Sequence, residues 1–167
     1  MSRTCAYTPK EAAEISGVSS DVQREWRRRN LMPFRAARGD SREWNTFDLR
    51  QVSALTIMRV LSECGVPLER ARKMAMAAAP HVVTFIAESL DEKARKAFEK
   101  QNRISRSAKR KVPERFVAMG VDSTPQVTNS VDNLLHDMIS PAVISLDLKA
   151  VADVMIERAV KPFVEER

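Results

Sequence analysis

The sequence predicts a mainly α-helical fold that ends in a small α/β module. Apolar residues recur at three- and four-residue spacing in several stretches of the first hundred residues, as in helices with one buried face. Aromatic residues make up only 5% of the chain, while eight Met accompany many Ala, a composition typical of helix–helix packing. Runs with the character of strands lie at residues 115–119 and 142–146, beyond the helical part.

The first predicted helix has a complete set of terminal signals. Thr8 is a suitable N-cap, Pro9 stands at the first helical position, and Glu11 stands where a capping box has an acid. Gly17 supplies the left-handed residue that ends such a helix.

A second helix follows after a tight turn. Ser19 or Ser20 caps it, and Asn30 ends it, because Asn tolerates the left-handed conformation. Two short helices joined in this way form a helix-turn-helix, and four arginines accompany the second one: Arg24, Arg27, Arg28 and Arg29. Trp26 is expected to pack beneath this helix.

The helical period disappears between residues 31 and 46. Pro33, Gly39 and Asp40 are turn residues, and Phe34 and Trp44 flank them as candidate strand residues. We therefore expect a β-hairpin, or wing, with its tip near residues 38–41. Its basic residues are Arg35, Arg38 and Arg42.

A third helix is predicted to begin near residues 47–48. Its buried stripe is Val52, Leu55, Met58 and Leu61, and residues 64–65 end it. A fourth helix opens at residues 66–69 and is expected to reach about Ala79.

Together these features resemble the MerR family of winged-helix regulators over residues 7–76. The matching positions are Thr8, Glu11, Ala13, Gly17, Val18, Ser19, Arg24, Trp26, Leu31, Pro33, Gly65 and Leu68, with Arg42 and Trp44 where the family has Arg-x-Tyr. The resemblance implies a recognition helix in the major groove and a wing on the DNA backbone. The candidate DNA-binding residues are Ser19, Ser20, Gln23, Arg24, Arg27, Arg28, Arg35, Arg38 and Arg42.

Several positions depart from the family pattern. Asp21 replaces a frequent Arg, Glu25 a usual Tyr, and Asn30 a usual Gly. Gln23 falls where an apolar residue is expected, and Val22 is expected to take over its packing role. These departures indicate a DNA sequence preference of the protein's own. The acids among the arginines also leave open a merely solvated, charged helix face.

Residues 80–111 are predicted to form a dimerisation helix and linker. Apolar or neutral residues recur there at alternating spacings of four and three residues. They form a heptad seam: Val83, Ala87, Leu90, Ala94, Ala97, Gln101 and Ile104. Family members dimerise through a long helix at this place. The run Lys109-Arg110-Lys111 is read as a solvated linker.

Residues 112–167 are predicted to form an α/β dimerisation or sensing module, beside a DNA-binding domain of residues 1–79. The expected order is strand, helix, strand, helix, completed by a second copy of the chain. Ser130 caps the first helix, whose apolar side carries Val131, Leu134, Leu135 and Met138. Pro141 ends it, and Asp147 caps the last helix, with Leu148, Val151, Val154 and Met155 inward.

Composition narrows the classes of function. The formal net charge is +6 and the pI about 9.7, which favours an anionic partner. Residues 91–115 carry ten Lys/Arg against four Asp/Glu, whereas residues 116–167 carry four against eight. The acidic C-terminal part is therefore expected not to touch DNA. No apolar run is long enough for a membrane span, and two distant cysteines indicate a reducing, cytoplasmic setting.

The sequence offers no motif for catalysis, metal or cofactor binding. His81 and His136 stand without a ligand partner at metal spacing, and no phosphate-binding glycine loop occurs. We expect a non-enzymatic, homodimeric regulator that binds double-stranded DNA at an inverted repeat, without a cofactor and with an unknown effector.

Two alternatives stay open. One is a phage or mobile-element accessory, of the excisionase or terminase small-subunit type. The other is an adaptor whose basic helices bind an acidic protein.

Overall fold

The computed structural model describes residues 6–34, 46–101, 113–120, 123–130, 132, 142–159 and 163. Within them lie six α-helices and one three-stranded antiparallel sheet, so the mainly helical fold is as predicted. The elements are α1 (Pro9–Ser16), α2 (Ser20–Arg28), α3 (Leu49–Glu63), α4 (Leu68–Glu88), α5 (Glu92–Gln101), β1 (Phe116–Gly120), β2 (Gln126–Thr128), β3 (Val143–Asp147) and α6 (Leu148–Arg158). None of these described helices has the length and apolar character to cross a bilayer.

The termini of α1 are fixed as its sequence predicts. The Thr8 backbone N–H donates to Oε2 of Glu11 over 2.8 Å, and the Glu11 N–H donates back to Oγ1 of Thr8 over 3.3 Å. Gly17 follows with φ 72°, and its N–H donates to the Ala13 carbonyl. This left-handed glycine reverses the chain so that α2 can start three residues later.

Helix α3 lies at the centre of the hydrophobic core. The predicted stripe of Val52, Leu55, Met58 and Leu61 is buried. Side chains outside that stripe are buried as well: Leu49, Ser53, Ala54, Thr56 and Ile57. A helix with so little exposed surface needs partners on several sides. It packs chiefly against α4, and also against α1 and α6.

Helix α4 continues through Pro80 to Glu88, so the helix end expected near Ala79 is wrong. Proline has no N–H for the Met76 carbonyl, which is why an internal proline normally breaks a helix. Met76 is 55% exposed, so water can reach that side of the helix. Residues before and after Pro80 are buried, and their packing holds the helix together, among them Ala78, Ala79, Val82, Val83 and Ile86.

The heptad seam does not form one continuous helix. Helix α4 ends at Glu88, and α5 begins at Glu92 after a short break. Val83 and Ala87 are buried in the core of their own chain, and the partly buried seam residues Leu90, Ala94 and Ala97 pack against that core. The anchor of α5 is Phe98, which is fully buried and lies outside the predicted seam.

The sheet has the order β2-β1-β3, with both pairs antiparallel. Strands β1 and β3 lie close to their predicted positions. Strand β2 was not predicted, because three residues with a single apolar side chain show no alternation. It supplies from the same chain the third strand that we had expected from a second copy.

Helix α4 holds both ends of β1. Nη2 of Arg70 donates to the Gly120 carbonyl over 2.6 Å. At the other end, Nδ1 of His81 accepts the Glu114 backbone N–H over 3.0 Å. Val117 and Met119 of β1 face the core between these points. The sheet is thereby fixed on the outside of α4.

Asp147 joins the sheet to α6. It is the predicted N-cap, and its Oδ1 accepts the N–H groups of Lys149 and Ala150. Its Oδ2 lies 2.7 Å from Nη2 of Arg115, which precedes β1. Burial alone would raise the pKa of Asp147, but the hydrogen bonds from Arg115 and the two N–H groups outweigh it and hold that pKa below its usual value.

Helix α6 returns to the N-terminal part of the chain. Its buried residues Leu148, Val151, Ala152 and Met155 belong to the same hydrophobic cluster as the helix-turn-helix. Beyond it, the Phe163 ring packs edge-on against Tyr7, with the centroids 6.5 Å apart. The boundary expected at residue 79 falls inside α4, and the division into domains stays a prediction.

Some predicted features lie outside the described residues. These are the hairpin tip at residues 38–41, the basic run at residues 109–111, His136 and nearly all of the helix after Ser130.

We predict that Gly17→Ala and Gly65→Ala differ in cost. Both glycines are left-handed, with φ 72° and 80°, and an L-residue pays about 1–2 kcal/mol for that conformation. A Cβ at Gly65 meets nothing within 4 Å, whereas at Gly17 it meets Arg158 and Arg59. In urea unfolding Gly17→Ala should lose more free energy than Gly65→Ala. The exposed end of Arg158 can move aside, so the difference comes from Arg59, whose side chain is only 19% exposed; an equal or smaller loss would contradict its close approach to Gly17.

We also predict that acid weakens the junction between His81 and Glu114. Burial lowers the pKa of His81, with the Glu114 carboxylate opposing it. The unfolded chain therefore binds the proton first, and the free energy of unfolding should fall as pH drops from the ordinary value of 6.5 towards the lower folded pKa. His81→Asn keeps an acceptor at the Nδ1 position but does not titrate. Urea unfolding at pH 5 to 8 should show a smaller fall for that variant, and identical pH profiles would contradict the assignment.

Candidate nucleic-acid interface

Helix α2 has one buried side and one exposed side. Gln23 and Trp26 are 2% and 6% exposed and face the core. Ser20, Asp21 and Arg24 are exposed on the other side. The packing role expected for Trp26 is confirmed.

Gln23 corrects our expectation for this helix. Its Nε2 donates to the Val18 carbonyl over 2.8 Å and to the Pro9 carbonyl over 3.3 Å. The side chain thus joins α2 to the start of α1 and lies beneath the helix, away from any DNA on its exposed side. A polar residue fits at this usually apolar position because the amide N–H groups meet two backbone carbonyls.

Val22 has the opposite placement from the one expected. We predicted that it packs in place of Gln23, but it is 40% exposed. An exposed valine on this helix offers an apolar surface beside the arginines.

Two arginines of α2 pair with acids one turn earlier. Nη1 of Arg24 lies 3.0 Å from Oδ1 of Asp21, and both side chains are largely exposed. Arg28 binds Glu25 through two nitrogens, Nε at 2.9 Å and Nη2 at 2.8 Å. The hydrogen bond from Arg28 lowers the pKa of Glu25 against a small opposing effect of burial, so this acid stays charged at neutral pH. Exposed pairs of this kind are weak and can open when a stronger anion approaches.

The remaining α2 candidates lie at its two ends. Oγ of Ser19 accepts the Val22 N–H over 3.3 Å, so this serine is the cap and Ser20 begins the helix. Arg27 is half-buried. Asn30 ends the helix with φ 55°, as predicted, and Nη1 of Arg72 in α4 approaches its carbonyl at 3.4 Å.

The base of the expected wing is closed by a backbone bridge. Tyr7 and Phe47 exchange two N–H···O hydrogen bonds of 2.7 Å, which joins the entrance of α1 to the entrance of α3. The Phe34 ring packs edge-on against Phe47, with the centroids 5.9 Å apart. The wing candidates Arg35, Arg38 and Arg42 lie outside the described residues, as does Trp44.

Two arginines from distant parts of the chain meet at the turn between α1 and α2. A Cβ at Gly17 would overlap Nη1 of Arg158 and lie 3.0 Å from Nε of Arg59. Arg59 also binds Glu63 at 2.9 Å. Arg158 is the last residue of α6, and sequence reasoning did not find it, because 141 residues separate it from Gly17.

The comparison with known families agrees with this arrangement. Residues 7–77 match the family described as MerR HTH family regulatory protein. Over these residues the chain is similar to that family. The matched family is one of transcription regulators, and the match ends within α4. No curated protein matches the chain.

No group of three or more His, Cys, Asp or Glu side chains is placed to hold a metal ion in the part of the chain that the structure describes.

We predict that Gln23 affects stability and not the DNA sequence that is read. Gln23→Ala removes one buried and one partly buried hydrogen bond and should lower the free energy of unfolding by about 2 kcal/mol. Its exposed neighbour serves as a control, since Val22→Ala should change stability little. Urea unfolding measures the loss, and selection from random duplexes should return an unchanged consensus. A shifted consensus would instead place Gln23 at the DNA.

Proposed function

We propose that the protein is a transcription regulator that binds an inverted-repeat operator as a homodimer in the cytoplasm. The observation that carries the proposal is the mounting of α2. One side is locked by Gln23 and Trp26, and the other presents Arg24 and Arg28 to the outside. A rigid helix with an exposed cationic side suits the major groove, where arginine binds guanine through two hydrogen bonds.

Binding DNA would exchange the ion pairs of α2 for contacts with bases and phosphates. Arg24 would leave Asp21 and reach a guanine edge, while Ser19, Ser20, Arg27 and Arg28 would contact the backbone. Each exposed pair is weak compared with a two-point arginine–guanine contact, so the exchange favours DNA. At a wrong base the arginine–guanine contact does not form, and the freed carboxylates of Asp21 and Glu25 would still repel the DNA phosphates. We infer that the two acids raise specificity at the expense of general affinity.

Val22 would take the place of Gln23 among the residues that read bases. The C5-methyl group of thymine lies in the major groove and is read by apolar side chains. Val22 supplies an exposed apolar surface in the first turn of α2, where the N-terminal residues of a recognition helix contact base edges.

The wing would continue the interface along the DNA backbone. Its arginines, Arg35, Arg38 and Arg42, extend from a base that the Tyr7–Phe47 bridge fixes to α1 and α3. Their contacts would add to affinity at every sequence.

Dimerisation would use α5 and the part of the chain that follows it. The exposed residues of α5 are strongly charged, among them Glu92, Lys93, Arg95 and Lys96. The described apolar residues of the heptad seam pack within their own chain, so dimerisation would depend on the exposed side of α5 and on residues 112–167 rather than on the seam. Light scattering at micromolar concentration tests this, and a monomer would remove the dimer.

We predict that Arg24→Ala changes the sequence preference as well as the affinity. Loss of a two-point contact with guanine should weaken consensus binding about 10- to 100-fold, with a smaller loss on random duplexes. Lys73→Ala, at an exposed site on α4, removes one positive charge away from the proposed interfaces and should change neither. Fluorescence anisotropy on consensus and scrambled duplexes measures both affinities. If the affinity for the consensus and scrambled duplexes fell by the same factor, Arg24 would contact only phosphates and would not read a base.

The salt dependence of wild-type binding tests the interface as a whole. Contacts with several phosphates make affinity fall steeply between 50 and 200 mM salt, and an unchanged affinity would contradict the proposed DNA binding.

A genome-wide occupancy map then separates the proposed regulator from the alternative roles. Sites at a few promoters support a regulator, whereas one attachment or packaging site supports a mobile-element accessory. An absence of sites, together with binding to an acidic protein, supports an adaptor.

A further inference from the structure

We propose that Arg158, at the end of the C-terminal helix α6, binds a DNA backbone phosphate beside the helix-turn-helix. The inference rests on the proposed DNA-binding function and extends its interface beyond the matched residues 7–77. It also reverses our expectation that the acidic C-terminal part of the chain stays away from DNA.

The position of Arg158 is set by the packing of α6. Val151, Ala152 and Met155 are buried in the core shared with the helix-turn-helix, which fixes the direction of the helix axis. The end of the helix then lies at the turn, with Nη1 of Arg158 against Gly17. Because Gly17 has no Cβ, the guanidinium can lie directly against its backbone.

The charge at this place is not balanced by the described residues. Arg59 and Arg158 meet at one backbone position, and two guanidinium cations that close repel each other. Glu63 pairs with Arg59, whose side chain is only 19% exposed. No ion pair among the described residues includes Arg158, and its side chain is exposed. An anion arriving from solvent would relieve the repulsion.

The turn lies where a DNA backbone would pass. Helix α2 begins at Ser20, three residues after Gly17, and an extended chain spans at most about 3.6 Å per residue. In helix-turn-helix proteins the N-terminal residues of the recognition helix contact the base edges. The phosphates beside those bases therefore come within reach of a side chain at Gly17. Glu157 is exposed too, but adjacent residues of a helix point about 100° apart, so its carboxylate is directed away.

A purely structural role for Arg158 is the competing explanation. A cation is favourable at the C-terminal ends of α1 and α6, where the helix dipoles are negative. Such a role would appear in stability and would leave the salt dependence of DNA binding unchanged. A phosphate contact would leave stability unchanged and would alter the salt dependence. Each neutralised phosphate makes the fall of log affinity with log salt steeper by about 0.9.

The test compares Arg158→Gln with Lys149→Gln in the full chain. Both variants lose one positive charge from α6, but Lys149 pairs with Asp153 and lies about 13 Å along the helix from Arg158. Affinity is measured by fluorescence anisotropy from 50 to 200 mM salt, on the selected consensus duplex and on a scrambled one. Urea unfolding of each variant reports stability.

Arg158→Gln should weaken both duplexes by the same factor, about three- to tenfold near 100 mM salt. The ratio of wild-type affinity to Arg158→Gln affinity should fall about 3.5-fold between 50 and 200 mM salt, which is the change expected when one phosphate contact is lost. Lys149→Gln should match the wild type, and Arg158→Lys should regain most of the lost affinity. The urea midpoint of Arg158→Gln should not fall, because the variant also removes the repulsion between Arg158 and Arg59.

Three results would overturn the proposal. An Arg158→Gln salt slope equal to the wild-type slope removes the phosphate contact while leaving the DNA-binding function intact. A loss of affinity that follows a fall in the urea midpoint assigns Arg158 a structural role. A wild-type protein that binds no duplex at low salt overturns the function and the inference together.

Discussion

The burial of α3 on nearly all sides is the constraint on which the described structure depends. This helix carries the predicted stripe, but Ala54 and Ile57 outside it are buried as well. Helices α1 and α4 cover part of its surface, and α6 covers another part. Since apolar surface left in water costs about 25 cal/mol per Å², a helix of this composition is stable only when its other sides are covered too. The chain meets that need by returning from the sheet to the helix-turn-helix.

One consequence is that the residues that match the family do not form a separate hydrophobic core of their own. Phe163 packs on Tyr7, and Tyr7 in turn pairs with Phe47 at the base of the expected wing. Helix α4 also runs past the matched residues and fixes β1 through Arg70 and His81. The sheet, α4 and α6 therefore share a core with α2. Any partner that moved the C-terminal part would act on the proposed DNA-binding surface through these contacts.

Helix α2 shows how one element meets two demands. Its inner side must hold α2 against α1, and Gln23 does so by bonding to carbonyls of both the turn and α1. Its outer side carries arginines that are partly neutralised by Asp21 and Glu25. The free protein is thus less cationic on this side than its arginine content indicates. In the proposed mechanism, binding to the correct DNA sequence replaces the broken ion pairs with contacts to bases and phosphates. Binding to a wrong sequence breaks the same ion pairs without that replacement.

Local chemistry determined the parts that the sequence predicted well. The cap at Thr8, the left-handed Gly17 and Asn30, and the N-cap Asp147 follow from backbone preferences that act within a few residues, so they can be read directly from the chain. Long-range packing decided the rest. Pro80 stays inside a helix because burial on either side of it offsets a lost hydrogen bond. Gln23 and Val22 exchange their expected roles because two backbone carbonyls lie beneath α2. Arg158 reaches Gly17 only because α6 has to cover α3, and no local pattern encodes a contact between residues so far apart in the chain.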